Sequence, residues 1–225
     1  MVHQPVIIYK NILSDDAVSC LRDWFFAQDH YVDARTDCVS KSPRWSADDW
    51  PRQWIEDCVR QVHQDPFEVE MVHFFHNLTS RFNVHVDSGL GVEHQKLAQG
   101  VIFPLITQGE VGTVFFKNHW LGRCSKFSKS LESQTVGYQA NGDPRNAVVT
   151  DYSSVENYSG RPFNQDAYNR YLTHLNMYDL EGLEFDCYAQ WYPGDAIVFP
   201  RTQLHAASNG TLPKLGLSIF TNHEH

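Results

Sequence analysis

Nowhere in the 225 residues is there a run of lysine and arginine, and 18 basic residues face 27 acidic ones for a net charge of −9. Nucleic acid is therefore not expected as a partner. No apolar stretch reaches the roughly 18 residues of a membrane-spanning helix, and no targeting-type segment is visible. A soluble, cytoplasmic protein with no membrane partner is the expectation. Cysteines are few: Cys20, Cys38, Cys58, Cys124 and Cys187 are odd in number, well separated and without a Cys-x-x-Cys pair, so reduced thiols are expected. There is no glycine-rich phosphate loop. Asp151-Tyr152-Ser153-Ser154 lacks the Gly-x-Ser-x-Gly setting of an activated serine, and no cysteine sits in a nucleophile motif. Repeats and low-complexity tracts are absent too.

What is present is enough for a core, with 42% apolar and 13% aromatic residues. Val6 to Tyr9 reads as a short strand. A helix follows from Ser14, whose hydroxyl suits the N-cap, with Asp15 and Asp16 in the first turn and Leu21, Trp24 and Phe25 on the buried face. A second helix is expected from about Asp49, with Trp54, Ile55, Cys58, Val59 and Val62 as its stripe; such helices more often brace a sheet than do chemistry. From Phe67 the period changes to that of strands: 68–75, 82–87, 99–107, 112–117, 183–191, 195–199 and 214–221. Many short strands between Gly/Pro turns indicate a sandwich or barrel rather than alternating β-α-β units.

The strand reading of Phe82-Asn83-Val84-His85-Val86-Asp87 places Asn83, His85 and Asp87 on one face and the apolar residues on the other. Among 12 histidines the His-x-Asp dyad alone proves little, and a second copy, His63-Gln64-Asp65, exists. That copy ends a helix, where positions i and i+2 point about 200° apart and cannot share one metal. Downstream, Pro193-Gly194-Asp195 is a turn opening the apolar run Ala196–Phe199, and His205 follows shortly after it. Nine residues further, Lys214 shares a strand face with Gly216 and Ser218. A lysine on the inner face of a barrel is costly unless an anion meets it.

His85-x-Asp87, distant His205 and Lys214 at +9 together resemble the Fe(II)/2-oxoglutarate-dependent dioxygenases, nearest to the prolyl-hydroxylase-like branch, over residues 5–222. The resemblance implies a mainly β fold with flanking N-terminal helices, a double-stranded β-helix of the jelly-roll or cupin-like kind. It implies that His85, Asp87 and His205 bind Fe(II), that Lys214 binds the distal carboxylate of 2-oxoglutarate, and that O2 is consumed. Lys214 stands where many members carry Arg-x-Ser, and Ser218 lies four residues on rather than two. The implied reaction couples decarboxylation of 2-oxoglutarate to succinate with oxidation of a C–H bond, hydroxylation first, with desaturation or cyclisation as variants. A small-molecule substrate is expected, with a peptide side chain still open; the oligomeric state is open as well. A non-catalytic cupin-type module binding metal or a small acid is the alternative, and neither it nor a His-rich metal isomerase accounts for Lys214.

Other residues carry open alternatives. Asn83 either contacts the cosubstrate or is a buried amide satisfied by backbone. Ser218 is a second donor candidate for the distal carboxylate. Arg201 either meets a substrate carboxylate or is an exposed loop arginine. His73 and His76, three apart in a strand, face opposite ways and form no chelate; His94, His119 and His174 are lone residues, and His223 and His225 lie on a terminal tail. As one domain of 225 residues, the chain is expected to divide into helical support (1–66), barrel core (67–117 and 177–222) and an insertion (118–176). The insertion is polar but rich in tyrosine, with a short helix near 164–176; it reads either as a substrate-recognition lid over the barrel mouth or as a structural or oligomerising cover.

Overall fold

The computed structural model describes residues 5–27, 31–33, 38–41, 52–63, 65–78, 81–87, 97–120, 148–150 and 162–224. Strand β1 (Ile7–Tyr9) leads into helix α1 (Asp15–Ala27), whose first turn is capped by Ser14 Oγ accepting from the Ala17 amide at 3.2 Å. Two short strands, β2 (Tyr31–Asp33) and β3 (Cys38–Lys41), precede helix α2 (Arg52–Val62). Then come β4 (Phe67–Asn77), β5 (Leu97–Ile106), β6 (Gly112–Trp120) and β7 (Val148–Thr150). After the short helix α3 (Gln165–Ala167), which runs on as a π-turn over Tyr168–Leu172, and a 3-10 turn at Met177–Leu180, four strands close the chain. They are β8 (Phe185–Gln190), β9 (Ala196–Pro200), β10 (Gln203–Ala207) and β11 (Lys214–His223). No helix of the described residues is long and apolar enough to cross a membrane.

Two antiparallel sheets face each other. The larger has the order β1-β9-β5-β11-β4-β3-β2; in the smaller, β6 pairs β10 on one side and β7 and β8 on the other. Alternation along each strand sorts the core into three layers. Phe74, Phe103, Val198 and Leu217 of the larger sheet pack outward against Leu21 and Phe25 of α1 and Ile55 and Val59 of α2. Ile102, Ile197 and Phe199 face inward, against Phe115, Ala189 and Trp191 from the other sheet and its edge. On the outer side of the smaller sheet, Val114, Phe116, Leu204 and Ala206 are covered by Phe163, Ala167, Leu172 and Leu180. Each fully buried side chain of this size contributes about 1.5–3 kcal/mol of burial. The fold is the expected one, mainly β with flanking helices.

Four details depart from the sequence reading. The first 66 residues are more than helical support, because β1 joins β9 and the short β2 and β3 extend the larger sheet past β4. Residues 118–120 continue β6 rather than starting the insertion. His205 lies within a further strand, β10, that the sequence reading did not mark, directly after the Arg201-Thr202 turn. The described end of the insertion, from residue 162, packs on the outer face of the smaller sheet through its own apolar residues. The rest of the proposed lid, 121–147 and 151–161, lies outside the described residues, as do Cys124, His94 and His225. Cys20, Cys58 and Cys187 carry free thiols, and burial pushes that of Cys187 up to about 12.

Candidate metal centre

His205 enters the space between the sheets because β10 alternates. Leu204 and Ala206 point outward into the covered face, while His205, 3% exposed, lies inward beside the rings of Phe199 and Phe115 at 4.9 and 5.6 Å. The segment 81–87 makes a single antiparallel bridge at His85 opposite His205 instead of a regular strand. The two residues exchange both backbone hydrogen bonds, each at 2.9 Å. Val84 and Val86 share the outer cluster with Leu204 and Ala206, so His85 and Asp87 turn inward. The expected alternation holds from Val84 to Asp87 and fails before it. Phe82 lies on the inner side, its ring 5.4 Å from those of Phe75 and His85, while the Asn83 side chain is exposed. The Phe82 carbonyl, rather than that of Asn83, accepts from the Ala207 amide at 3.1 Å, so the register slips by one residue there and the two-residue period breaks.

One nitrogen or oxygen from each of His85, Asp87 and His205 falls within 4.8 Å of the others. His85 Nε2 is 3.9 Å from Asp87 Oδ1, and His205 Nε2 is 3.5 Å from Asp87 Oδ2. The Nδ1 atoms face backbone carbonyls: His85 Nδ1 donates to Asn83 O at 2.7 Å, and His205 Nδ1 to Gln203 O at 3.0 Å. A carbonyl only accepts, so each Nδ1 carries a proton, and each ring turns its Nε2 towards the shared space. His205 is held neutral: burial and then Lys214 push its pKa down to about 4, against the opposing Gln203 carbonyl. Burial pushes the Asp87 carboxyl up, with His85 and Arg201 pulling it back. Two imidazoles presenting Nε2 and one carboxylate are a donor set that fits Fe(II), and on an octahedral ion they leave three positions open.

Arg201 sits in the turn between β9 and β10, as a loop residue, but it is buried and proves to be a structural part of this site. It is 1% exposed, and its Nε donates to the carbonyl of Asp87 at 2.9 Å. Its Nη1 donates to Thr221 O at 3.1 Å, to Asn222 Oδ1 at 2.7 Å and to Glu70, with which it also forms an ion pair. The Asp87 amide in turn donates to Arg201 O at 3.1 Å. Arg201 is thus locked away from any substrate and fixes the backbone that carries Asp87.

Lys214, at the start of β11, is 2% exposed, and its Nζ lies 4.5 Å over the ring of Trp191. Trp191 is fixed by donating Nε1 to Thr113 Oγ1 at 3.0 Å, and Gly216 makes room for it, since a Cβ there would come within 2.8 Å of the ring. Ser218 is buried on the same strand face, opposite His73 of β4. His73 stacks on Phe75 at 4.3 Å, whereas His76 meets Phe25 and Phe26, so the two do face opposite ways. His119 bonds Thr202 Oγ1 at 3.0 Å deep in the smaller sheet.

No protein-family model matches the chain, and no curated protein does. Solved structures do match in fold. The non-haem α-ketoglutarate-dependent carbocyclase SnoK of nogalamycin biosynthesis superposes with a TM-score of 0.57 at 10% identity, over 98% of this chain and 80% of its own. The epimerase SnoN, solved with Fe3+, α-ketoglutarate and nogalamycin RO, gives 0.54 at 10% identity, over 98% and 80%. A Pseudomonas putida prolyl-4-hydroxylase gives 0.50 at 9% identity, over 100% and 95%. This chain therefore has the double-stranded β-helix fold of the iron- and 2-oxoglutarate-dependent oxygenases.

Proposed function

We propose that the protein is an Fe(II)- and 2-oxoglutarate-dependent oxygenase. The observation that carries this reading is the convergence of His85, Asp87 and His205 with both Nε2 atoms turned towards the Asp87 carboxylate, close enough to Lys214 for its charge to act on His205. His85, Asp87 and His205 would hold the iron, and Lys214 would pair the distal carboxylate of 2-oxoglutarate. Bound iron, with 2-oxoglutarate and O2, supplies the oxidising chemistry that converts the keto acid to succinate and oxidises a C–H bond. The protein's own share is to orient the cosubstrate and the reacting bond and to keep water out. Phe115 and Phe199 keep the His205 side of the site apolar. The substrate is a small molecule or a peptide side chain, and hydroxylation is the outcome favoured.

Asn83 enters through its backbone carbonyl, which orients His85; its exposed side chain leaves only an outward approach to ligand. Ser218 remains a candidate donor on the Lys214 face. Of the 118–176 insertion, what lies between β6 and residue 162, β7 apart, is proposed as the cover of the site.

Anaerobic titration with Fe(II) and 2-oxoglutarate tests the reading. The expected result is a metal-to-ligand charge-transfer band, followed by substrate-dependent succinate in a metabolite screen. Lys214→Ala should weaken 2-oxoglutarate binding roughly 30-fold or more, in line with removing one partner of a buried charge pair, while iron binding stays the same. Lys214→Arg should keep part of the affinity. If 2-oxoglutarate neither binds nor gives the band in the wild type, the protein is a metal- or acid-binding module instead.

A further inference from the structure

Near Lys214 stand two side chains with polar atoms that are shut off from solvent and have no hydrogen-bond partner among the described residues. Asn77 of β4 is directly across the ladder from Lys214, so the two side chains leave the sheet on the same face with backbones about 5 Å apart. Asn77 is 1% exposed, and its Nδ2 meets no acceptor among the described residues. His174, just past the π-turn, is the second. Both its ring nitrogens are shut off from solvent and have no partner among the described residues.

His174 lies within the electrostatic reach of Lys214 and of Arg81. Burial first, then Arg81 and Lys214, push its pKa down to about 4, so at neutral pH the ring is uncharged with one N–H to give. Its position is held from both sides. Arg81 donates Nε and Nη2 to Gly210 O at 3.2 and 2.8 Å, and the Asn209 amide donates to Tyr171 O at 2.7 Å. The loop after β10 thus ties the π-turn and the Arg81 segment together beside Lys214. Unsatisfied buried donors are rare because each forfeits its hydration without return. Two such donors near one ammonium suit a ligand with several lone pairs, and a carboxylate offers about four acceptor sites.

We infer that Asn77 and His174 are binding residues for the distal carboxylate of the keto acid, each donating one N–H to it while Lys214 supplies the charge. This rests on the proposed oxygenase function. Asn77 and His174 take the place that Ser218 would need to fill. Ser218 is four residues along β11, about 13 Å of strand from Lys214, whereas Asn77 is its cross-strand partner.

The experiment compares two keto acids on the Fe(II)-loaded protein without O2: 2-oxoglutarate, and 2-oxobutanoate, which has the same chelating end but no distal carboxylate. Asn77→Leu, of similar shape, and His174→Ala should each weaken 2-oxoglutarate roughly tenfold or more and leave 2-oxobutanoate and Fe(II) affinities unchanged. His174→Gln should recover part of the loss. Thermal melting of the ligand-free variants should show no destabilisation from Asn77→Leu, because a donor without a partner gives the empty protein nothing. Unchanged 2-oxoglutarate affinity in both variants, or equal weakening of both keto acids, would overturn the inference while leaving the oxygenase reading in place. A wild type that binds neither keto acid would instead sink the oxygenase reading, and this inference with it.

Discussion

Arg201 shows how a site residue can be present in the sequence without being readable there. Its partners are Glu70, Asp87, Thr221 and Asn222, brought together from three distant stretches, and no local pattern links them. His85, Asp87 and His205 could be found because two-residue alternation is a local signal. Asn83 was misplaced by the same rule, which holds only as far as the register does. Arg201→Gln should destabilise the fold by about 3 kcal/mol, the low end for breaking a buried pair because Glu70 is partly exposed. Metal affinity should fall roughly 10- to 100-fold as Asp87 loses its backbone anchor, readable by denaturant melts and metal titration. His174 gives a pH prediction. Its folded pKa of about 4 lies below the ordinary value of 6.5, so the unfolded chain binds the proton more readily. The stability of the ligand-free protein should therefore fall as pH drops from about 6.5 towards 4. In His174→Gln that fall should be shallower, and identical melting profiles across this range would show that the ring is not held neutral by the fold.

At the scale of elements, β11 does most to position the site. One face of it, with Leu215, Leu217 and Ile219, closes the helix-backed core, and the other presents Lys214, Gly216 and Ser218. Both sides of this strand were legible, since its apolar and polar positions alternate cleanly. Strand β10 was not, because it is only five residues long and follows β9 after the two-residue Arg201-Thr202 turn. Strand β1 was legible from its apolar run, whereas β2 and β3, three and four residues long at or near a sheet edge, are too short for a periodic signal. Gly216 offers the sharpest test of this element. A Cβ there would press on the Trp191 ring at 2.8 Å, and Trp191 lies beneath the Lys214 ammonium. Gly216→Ala should cost about 1–3 kcal/mol of stability and lower 2-oxoglutarate affinity more than iron affinity. Paired thermal melts and ligand titrations check it.

On the scale of the whole molecule, three apolar layers hold the fold, and the ligand triad lies in the space between the two sheets rather than in the helix-backed layer. His85→Ala should consequently leave a folded protein with the same far-ultraviolet circular dichroism, unable to bind iron in this site. Adding Fe(II) to the wild type should raise its melting temperature by mass action, about 2.7 kcal/mol when the metal is at 100 times its dissociation constant, and the increment should vanish in His85→Ala. A melting temperature that rises equally in both would place the metal elsewhere.

The bridge between His85 and His205 has one more consequence. Each residue's amide is bonded to the other's carbonyl, so the two imidazoles hang from a single closed ring of backbone atoms. Neither can be exposed by a local opening that spares the other. Their two amide hydrogens should exchange with deuterated water at one common rate, slower with metal bound, as a single clasp that opens whole.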